Sequence, residues 1–276
     1  MMKKSNTRRT SNTTAKPLLN LYKKPGETPL QCLDRFRRAH PEYAHTPLSY
    51  VGRLDPMAEG VLLVVTGEEN KNRSSYLGLS KEYVVEILFG VSTDTGDCMG
   101  IITGFDVNPI PYDFESILSR ELKNFVGNIN QPYPHYSSKT VSGKPLFEWA
   151  REGRIDEINI PTKTVSISSI ELLNLKQISA SDLLAEIKRK IALVHGDFRQ
   201  EKIVDVWHRY LGDFLSENHQ FTIATIKVNS GAGAYMRFLA EAVGKSLKKP
   251  ALAFHITRTK VGKFGTFSNK VIKSAT

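Results

Sequence analysis

The chain has 276 residues, 40% of them hydrophobic, with a net charge of +10 and a pI of about 9.5. This length allows one large core or at most two ordinary domains. The longest apolar runs, about five residues, are far shorter than the roughly 20 that span a membrane, and the basic charge favours a polyanionic partner, nucleic acid first. Two cysteines, Cys32 and Cys98, exclude a disulfide framework and a Cys-rich zinc site. We therefore expect reduced thiols in a cytoplasmic protein, and neither a membrane nor a metal as a partner.

The amino-terminal segment, residues 1–16, has five basic side chains, no acidic one, and many Ser, Thr and Asn residues. It lacks the apolar stretch of a secretory signal. A segment of this composition cannot bury enough apolar surface to fold. We expect a disordered basic arm over 1–16, followed by residues 17–276 without a linker that divides them.

The first predicted elements are a short strand at 18–22 and a helix at 30–39, separated by turn residues. Leu30, Leu33 and Phe36 recur at helical spacing and would form the apolar face of that helix. A loop at 40–49, a turn that contains two glycines, and a buried strand at 61–66 follow in that order.

Asp55 lies in this turn, within the sequence YVGRLDPMAEG at 50–60. A carboxylate just outside a rigid strand is where an enzyme could present a nucleophile or a base. Asp before Pro is also an ordinary helix start, with Asp as the N-cap and Pro at the first helical position. These residues taken alone favour the helix cap, so the choice depends on the rest of the chain.

In the middle of the chain, an alternating pattern predicts a strand at 81–90. Its odd-numbered residues from Tyr83 to Phe89 share one face. Residues 131–143 are rich in Pro, Tyr, Ser and Gly, a composition typical of a long exposed loop with a function. The elements predicted around that loop are a polar loop at 92–97, a helix at 114–125 and a short helix at 145–152.

In the last part of the chain, the residue pattern predicts strands at 165–175 and 221–228 and a helix that ends near residue 247. Two amphipathic helices, at 181–194 and 202–215, form an insertion at about 176–220. Their apolar stripes need a partner surface, so we expect a structural pad rather than an RNA-reading element.

A glycine-containing turn precedes the last helix, whose first turn carries Arg237. The turn lacks the third glycine of a dinucleotide-binding fingerprint. Arginine is always charged and binds a carboxylate through two nitrogens, which makes Arg237 a candidate partner for an acidic group.

Five separated segments, in the same order, resemble the motifs of the TruB family of tRNA pseudouridine synthases. They are KPGET at 24–28, GRLDPMAEGVL at 52–62, KEY at 81–83 with TDTGD at 93–97, the loop from QP at 131–132 through YSS at 136–138 to GKPLFE at 143–148, and GAYMR at 233–237 with RT at 258–259 and GKF at 262–264. Five ordered matches over about residues 18–265 make coincidence negligible.

The resemblance implies an α+β pseudouridine synthase fold over residues 17–276, with a central mixed, largely antiparallel sheet, flanking helices and a basic cleft. It also implies a cytoplasmic, monomeric enzyme that converts a uridine in the T-arm of tRNA to pseudouridine without a cofactor. Catalysis is assigned to Asp55 as nucleophile, to Tyr83, which packs on the target base, and to Arg237, paired with Asp55. The residues that it implies for RNA binding are Tyr50, Arg53, Asp97, Tyr136, Lys139, Lys144, Tyr235 and Arg258.

These roles agree with the chemistry of the reaction. Isomerising uridine breaks a C–N bond and forms a C–C bond at the same sugar carbon, which requires a carboxylate to assist the step or trap its intermediate. The base must also leave the stack, so an aromatic platform such as Tyr83 is needed.

The chain departs from the family pattern at several positions. Tyr50 stands where bacterial members usually have histidine, Arg53 replaces the usual Thr or Ala, and the loop lysine appears one place early, at Lys139. Arg258 lacks the usual preceding Leu-Arg, and we expect no PUA domain. Two alternatives therefore stay open: the same chemistry on another RNA, and an RNA-binding or tRNA-folding protein in which catalysis is secondary.

Overall fold

The computed structural model describes residues 16–216 and 219–265, so the expected basic arm, apart from Lys16, lies outside the described residues. The described strands are β1 (Leu18–Lys23), β2 (Leu48–Val51), β3 (Glu59–Thr66), β4 (Lys81–Phe89), β5 (Val91–Thr93), β6 (Ile102–Phe105), β7 (Gly127–Pro132), β8 (Thr140–Val141), β9 (Lys144–Pro145), β10 (Thr162–Ser179), β11 (Gln220–Ser230), β12 (Ala251–Val261) and β13 (Phe264–Gly265).

A nine-stranded sheet lies at the centre of the described fold. Seven strands follow the order β1-β3-β12-β4-β11-β10-β7, while β2 pairs with β3 and β13 pairs with β12. The pairs are antiparallel except β12 with β3, which is parallel. The expectation of a central mixed, largely antiparallel sheet is thus confirmed.

The described α-helices are α1 (Pro29–Ala39), α2 (Arg73–Leu77), α3 (Phe114–Leu122), α4 (Leu146–Arg151), α5 (Ala180–Ala192), α6 (Gln200–Gly212) and α7 (Met236–Ser246). A capping box starts α1: the Gln31 N–H donates to the Thr28 hydroxyl, and the Thr28 N–H donates to the Gln31 side chain. Within the described residues, the helices are all too short or too polar to cross a membrane.

Helices cover both faces of the sheet, and β4 contributes to both apolar clusters. Tyr83, Val85, Ile87 and Phe89 pack in one cluster with buried residues of α3 and α7. Leu88 belongs to the other cluster, which contains the buried residues of α5 and α6. Because alternate side chains of a strand point to opposite faces, this arrangement follows from the alternation read in the sequence.

The segment predicted to be an insertion forms a hairpin of α5 and α6 (residues 180–212) that packs on the sheet. Its fully buried side chains lie in one cluster with Ile223 and Leu252 of the sheet, and they are Ala180, Leu183, Ile187, Ile203, Trp207 and Leu211. The two expected helices and their packing are confirmed. The boundary differs, because residues 176–179 extend β10 and pair with β11.

Two local expectations are wrong, and the helix-cap alternative at Asp55 is excluded. No helix starts at Asp55: the Ala58 N–H donates to the Asp55 carbonyl in a tight turn, and β3 begins at Glu59. Leu30 is 58% exposed, since α1 buries Cys32 and Leu33 instead. The predicted loop at 40–49 ends in β2, whose pairing with β3 is a tertiary contact that local turn residues do not reveal.

Gly60 brings β3 and β12 close together. Its φ is +108°, and a Cβ at this position would lie 2.2 Å from the Arg258 carbonyl oxygen. Any other residue would therefore force the two strands apart at the point where they run parallel.

Glu59, the first residue of β3, connects three strands. Its carboxylate accepts a hydrogen bond from the Tyr22 hydroxyl of β1 at 2.7 Å and lies 2.9 Å from His255 Nε2 of β12. Thr257 donates to it at 3.3 Å. These partners, His255 first, hold the pKa of Glu59 at about 2.

We expect Trp207→Ala to lower the free energy of unfolding by about 3–5 kcal/mol, because it empties a fully buried site. Urea denaturation followed by circular dichroism measures the change. The exposed neighbour His208 supplies the control, since His208→Ala should cost less than about 0.5 kcal/mol. Equal effects of the two changes would contradict the assignment of the hairpin as a packed pad.

Glu59→Gln should reduce stability at neutral pH by roughly 2 kcal/mol. The folded pKa lies below the ordinary 4.5, so the charged carboxylate stabilises the fold above that value, and its contribution is lost as the pH falls towards 2. Acid titration of unfolding should show a smaller decline for the variant than for the wild type below pH 4.5. Glu68→Gln, at an 89% exposed side chain, is the control, and parallel curves for Glu59→Gln and wild type would refute the role.

Candidate active site

An ion pair between Asp55 and Arg237 lies at the centre of the candidate site. Arg237 Nη2 donates a hydrogen bond to Asp55 Oδ1 at 3.3 Å. Arg237 Nε lies 2.8 Å from Asp55 Oδ2, but the geometry of this second contact is not that of a hydrogen bond. The arginine side chain is 5% exposed and the aspartate side chain 39%. The guanidinium is therefore buried behind a carboxylate that a substrate can reach.

Two backbone carbonyls complete the environment of the Arg237 guanidinium. Nη1 donates to the Thr95 oxygen at 2.8 Å, and Nη2 donates to the Tyr136 oxygen at 3.3 Å. A buried charge needs acceptors of this kind to replace the water that it loses. The TDTGD loop and the loop after β7 are thus both part of the site.

Two further carboxyl groups face Arg237. Asp97 Oδ2 lies 3.8 Å from Arg237 Nε, and burial raises the pKa of the Asp97 carboxyl against the opposing effect of Arg237. Burial also raises the pKa of Glu241, one turn along α7, to about 7. A Cβ on Gly96, whose φ is +72°, would lie 2.7 Å from Glu241 Oε1, so glycine lets the loop approach α7.

The Lys23 ammonium group holds one side of the Asp55 turn. It donates to the carbonyl oxygens of Lys24 at 3.0 Å, Pro56 at 3.1 Å and Ala58 at 2.5 Å. Burial lowers the pKa of Lys23 to about 8. The Gly26 N–H also donates to the Pro56 carbonyl, at 2.8 Å, so the segment at 23–26 fixes the turn from below.

Arg258 holds the other side of the same turn. Its guanidinium donates to the carbonyls of Val61 at 2.8 Å, Arg53 at 3.1 Å and Gly52 at 3.3 Å. The residue is 1% exposed, which leaves it no surface for RNA. The expected RNA contact is therefore corrected: Arg258 supports the Asp55 turn from within the protein.

Gln131, which is buried at the end of β7, fixes the turn before α7. Its side chain donates to the Gly233 carbonyl at 2.6 Å and accepts from the Tyr235 N–H at 3.2 Å. The backbone that carries Arg237 into the site is thus anchored to the central sheet.

Tyr83 lies on β4, between Val228 of β11 and Arg258 of β12. It is buried in the same apolar cluster as Leu54 and Met236, the neighbours of Asp55 and Arg237 in the chain. The structure thus brings all three sequence-predicted catalytic residues to one region of the sheet.

Some of the residues expected to contact RNA are exposed or lie beside other aromatic and basic side chains. Arg53 is exposed and Lys139 is exposed, with its Nζ 5.3 Å from the centre of the Tyr133 ring. The Tyr235 ring lies 6.0 Å from that of Tyr133. Burial raises the pKa of Tyr235, and the charges of Asp55 and Arg53 also act on it. Aromatic and basic side chains thus lie side by side at this position.

The remaining expected RNA contacts have partners within the protein, and those of the partly exposed Tyr50 and Lys144 stay predictions. Asp97 is buried against Arg237, which corrects its assignment to RNA. Tyr50 packs in the cluster of α1 with Leu62 and Val64. Lys144 forms an ion pair with Glu152 and lies 4.0 Å from the centre of a Trp149 ring.

Sequence reasoning missed the roles of Lys23, Gln131 and Glu241. Lys23 directly precedes the KPGET motif, and Gln131 was read only as part of a motif, without a role. Glu241 follows Arg237 by one helical turn, a spacing that places two side chains on one face. In the described part of the chain, His, Cys, Asp and Glu form no group of three that could hold a metal ion.

Solved structures with a similar fold were found by comparison. A crystal structure of a Cbf5–Nop10–Gar1 complex matches with a TM-score of 0.54 and 18% identity, over 90% of this chain and 49% of that one. A structure of an H/ACA ribonucleoprotein bound to a substrate RNA containing 2′-deoxyuridine matches with a TM-score of 0.50 and 17% identity, over 90% of this chain and 48% of that one. At this identity the likeness supports the fold alone.

Sequence comparisons identify the family. The model of the TruB family pseudouridylate synthase N-terminal domain matches residues 43–193. The tRNA pseudouridine synthase B of Caldanaerobacter subterraneus subsp. tengcongensis is 30% identical over 93% of this chain and 72% of its own length. The protein of that name from Nitratidesulfovibrio vulgaris is 30% identical over 90% of this chain and 64% of its own length. With these matches over the residues that build the site, the chain belongs to the TruB family of tRNA pseudouridine synthases, a family of isomerases.

Proposed function

We propose that this chain converts a uridine in the T-arm of tRNA to pseudouridine, with Asp55 as the nucleophile. One observation carries the proposal: all five motif segments meet at the Asp55–Arg237 ion pair. They supply the supports of the Asp55 turn, the carbonyl acceptors of Arg237 and the turn that leads into α7. Curated relatives named tRNA pseudouridine synthase B support tRNA as the substrate.

Asp55 acts at the sugar carbon of the bound uridine. In the proposed step a carboxylate oxygen attacks C1′, and the C1′–N1 bond breaks with its electron pair passing to the uracil. The detached base turns, and C5 bonds to C1′ as the ester bond to Asp55 breaks and its electron pair returns to the carboxylate. A base then removes the C5 proton while N1 gains a proton, so that the isomer forms with no net loss of atoms. Arg237 orients the carboxylate throughout, because its guanidinium is fixed by two carbonyls and cannot follow the substrate.

Tyr83 forms the apolar floor on which the flipped base packs, and its phenol takes part in proton transfer. Its burial in the apolar cluster that also contains Leu54 and Met236, the chain neighbours of the ion pair, supports this role. The net charge of +10, together with the exposed Arg53 and Lys139, supports a basic cleft for the tRNA backbone. We further propose that the enzyme acts in the cytoplasm as a monomer without a cofactor.

The test incubates the purified protein with unmodified tRNA and maps pseudouridine by chemical probing. We expect one modified uridine in the T-arm. Modification at another site or only in another RNA would favour the alternative substrate. Tight tRNA binding and refolding without any pseudouridine would favour the RNA-folding alternative.

Asp55→Asn should lower kcat by at least about a thousandfold, because an amide has no nucleophilic carboxylate oxygen. tRNA affinity, measured by filter binding, should stay within about threefold, since the side chain keeps its size. Asp34→Asn on the exposed face of α1 serves as the control and should leave turnover unchanged. Near-normal turnover by Asp55→Asn would remove the catalytic assignment.

Tyr83→Phe should lower kcat by roughly a hundredfold or more while tRNA affinity is retained, because the ring stays but the phenol is lost. Single-turnover kinetics separate the two effects. Tyr43→Phe tests the loss of a phenol from another buried tyrosine and should turn over normally. A fully active Tyr83→Phe would make Tyr83 a packing residue only.

A further inference from the structure

We propose that Arg199, at the tip of the α5–α6 hairpin, is a positioning residue for catalysis. It fixes the two loops whose carbonyls bind the guanidinium of Arg237. The inserted hairpin would then be a brace for the active site as well as a pad on the sheet. The inference rests on the proposed pseudouridine synthase function.

The Arg199 guanidinium joins two loops that are far apart in the chain. Nη1 donates to Asp94 Oδ2 at 2.7 Å and Nη2 donates to Asp94 Oδ1 at 3.3 Å, a two-pronged contact with one carboxylate. Its Cζ lies 4.6 Å from the centre of the Tyr136 ring. The Tyr136 hydroxyl donates to Asp94 Oδ2 at 3.2 Å, which closes a triangle of three side chains.

The triangle lies one step from the catalytic arginine. Asp94 directly precedes Thr95, whose carbonyl accepts from Arg237 Nη1. The carbonyl of Tyr136 accepts from Arg237 Nη2. Through the side chains of Asp94 and Tyr136, Arg199 therefore fixes the two backbone segments that orient Arg237. Arg237 in turn orients the Asp55 carboxylate.

Other contacts make the hairpin a rigid support. Trp207 of α6 is fully buried and its Nε1 donates to the Gly100 carbonyl at 3.3 Å, on the far side of the TDTGD loop. Arg151, at the end of α4, donates to the Asp197 carbonyl at 2.6 Å and to its carboxylate at 2.9 Å. The hairpin thus contacts the segment at 94–100 at two points and the segment at 136–151 at both ends.

The backbone at Arg199 supports this interpretation and supplies a clean test. Its φ is +63° and its ψ is +27°, the left-handed region, where side chains other than glycine are strained. The contacts that the guanidinium makes with Asp94 and Tyr136 compensate for this backbone strain. Arg199→Gly removes the guanidinium and relieves the strain at the same time, so loss of the ion pair need not destabilise the fold.

We expect Arg199→Gly to lower the single-turnover rate about tenfold or more, because the catalytic pair loses its orientation. tRNA affinity should stay within about twofold and the melting temperature within about 3 °C of the wild type. Arg199→Lys keeps a charge near Asp94 but lacks the planar fork, so it should recover part of the rate. Arg189→Gln, which breaks an ion pair with Glu186 inside α5, is the matched control and should react at the wild-type rate.

Hydrogen exchange gives a readout that is independent of activity. Amides of residues 94–101 and 133–141 should exchange faster in Arg199→Gly than in the wild type or in Arg189→Gln, with no change in β4 or β11. A wild-type protein that makes no pseudouridine would overturn the proposed function, whereas faster exchange in these loops would still support the brace.

Three outcomes would overturn the inference. The first is an active wild type with an equally active Arg199→Gly. The second is weaker tRNA binding at an unchanged single-turnover rate, which would make Arg199 an RNA contact. The third is exchange in the two loops that does not differ between Arg199→Gly and Arg189→Gln.

Discussion

The burial of one guanidinium, that of Arg237, is the constraint on which the rest of the site depends. A buried cation requires acceptors on every side, and here they come from separate parts of the chain: Asp55, Asp97, and the carbonyls of Thr95 and Tyr136. Each acceptor must be held at its distance, so the loops that carry them cannot move freely. The accessible face of Asp55 is a consequence of this arrangement, because the arginine occupies only the inner side of the carboxylate.

Two further buried cations hold the Asp55 turn from either side, and among the described residues their hydrogen bonds go to carbonyls rather than to carboxylates. Lys23 and Arg258 donate to six backbone carbonyls in all, most of them in or beside the turn. The close parallel approach of β3 and β12 at Gly60 brings Arg258 to this position. The sheet thus serves as a rigid frame on which a loop is fixed by charge-assisted hydrogen bonds. The α5–α6 hairpin adds a similar support from the outside, since Arg199 contacts Asp94 and Tyr136.

Much of the fold and the centre of the site could be predicted from the sequence. The alternation in β4 and the helical spacing in α5 and α6 are local periodicities, so they are visible in any window that contains them. The motifs around Asp55, Tyr83 and Arg237 led to the family. The family resemblance implies RNA contacts for Arg258 and Asp97, but both side chains are buried in the structure. Their burial depends on which carbonyls and which guanidinium surround them, and residues far away in the chain supply these groups.

The sequence by itself determined most of the elements and the family, and it singled out Asp55 as the candidate catalytic carboxylate. Tertiary structure decided that Asp55 does not start a helix, because β3 begins at Glu59 and pairs with β1 and β2. It also decided which basic residues face solvent and which hold the turn, and it placed the tip of the α5–α6 hairpin against the TDTGD loop. The physical reason is the range of the interactions involved. Propensity and periodicity act over a few residues, whereas the partners of a buried charge are set by the packing of strands and loops that are distant in the chain.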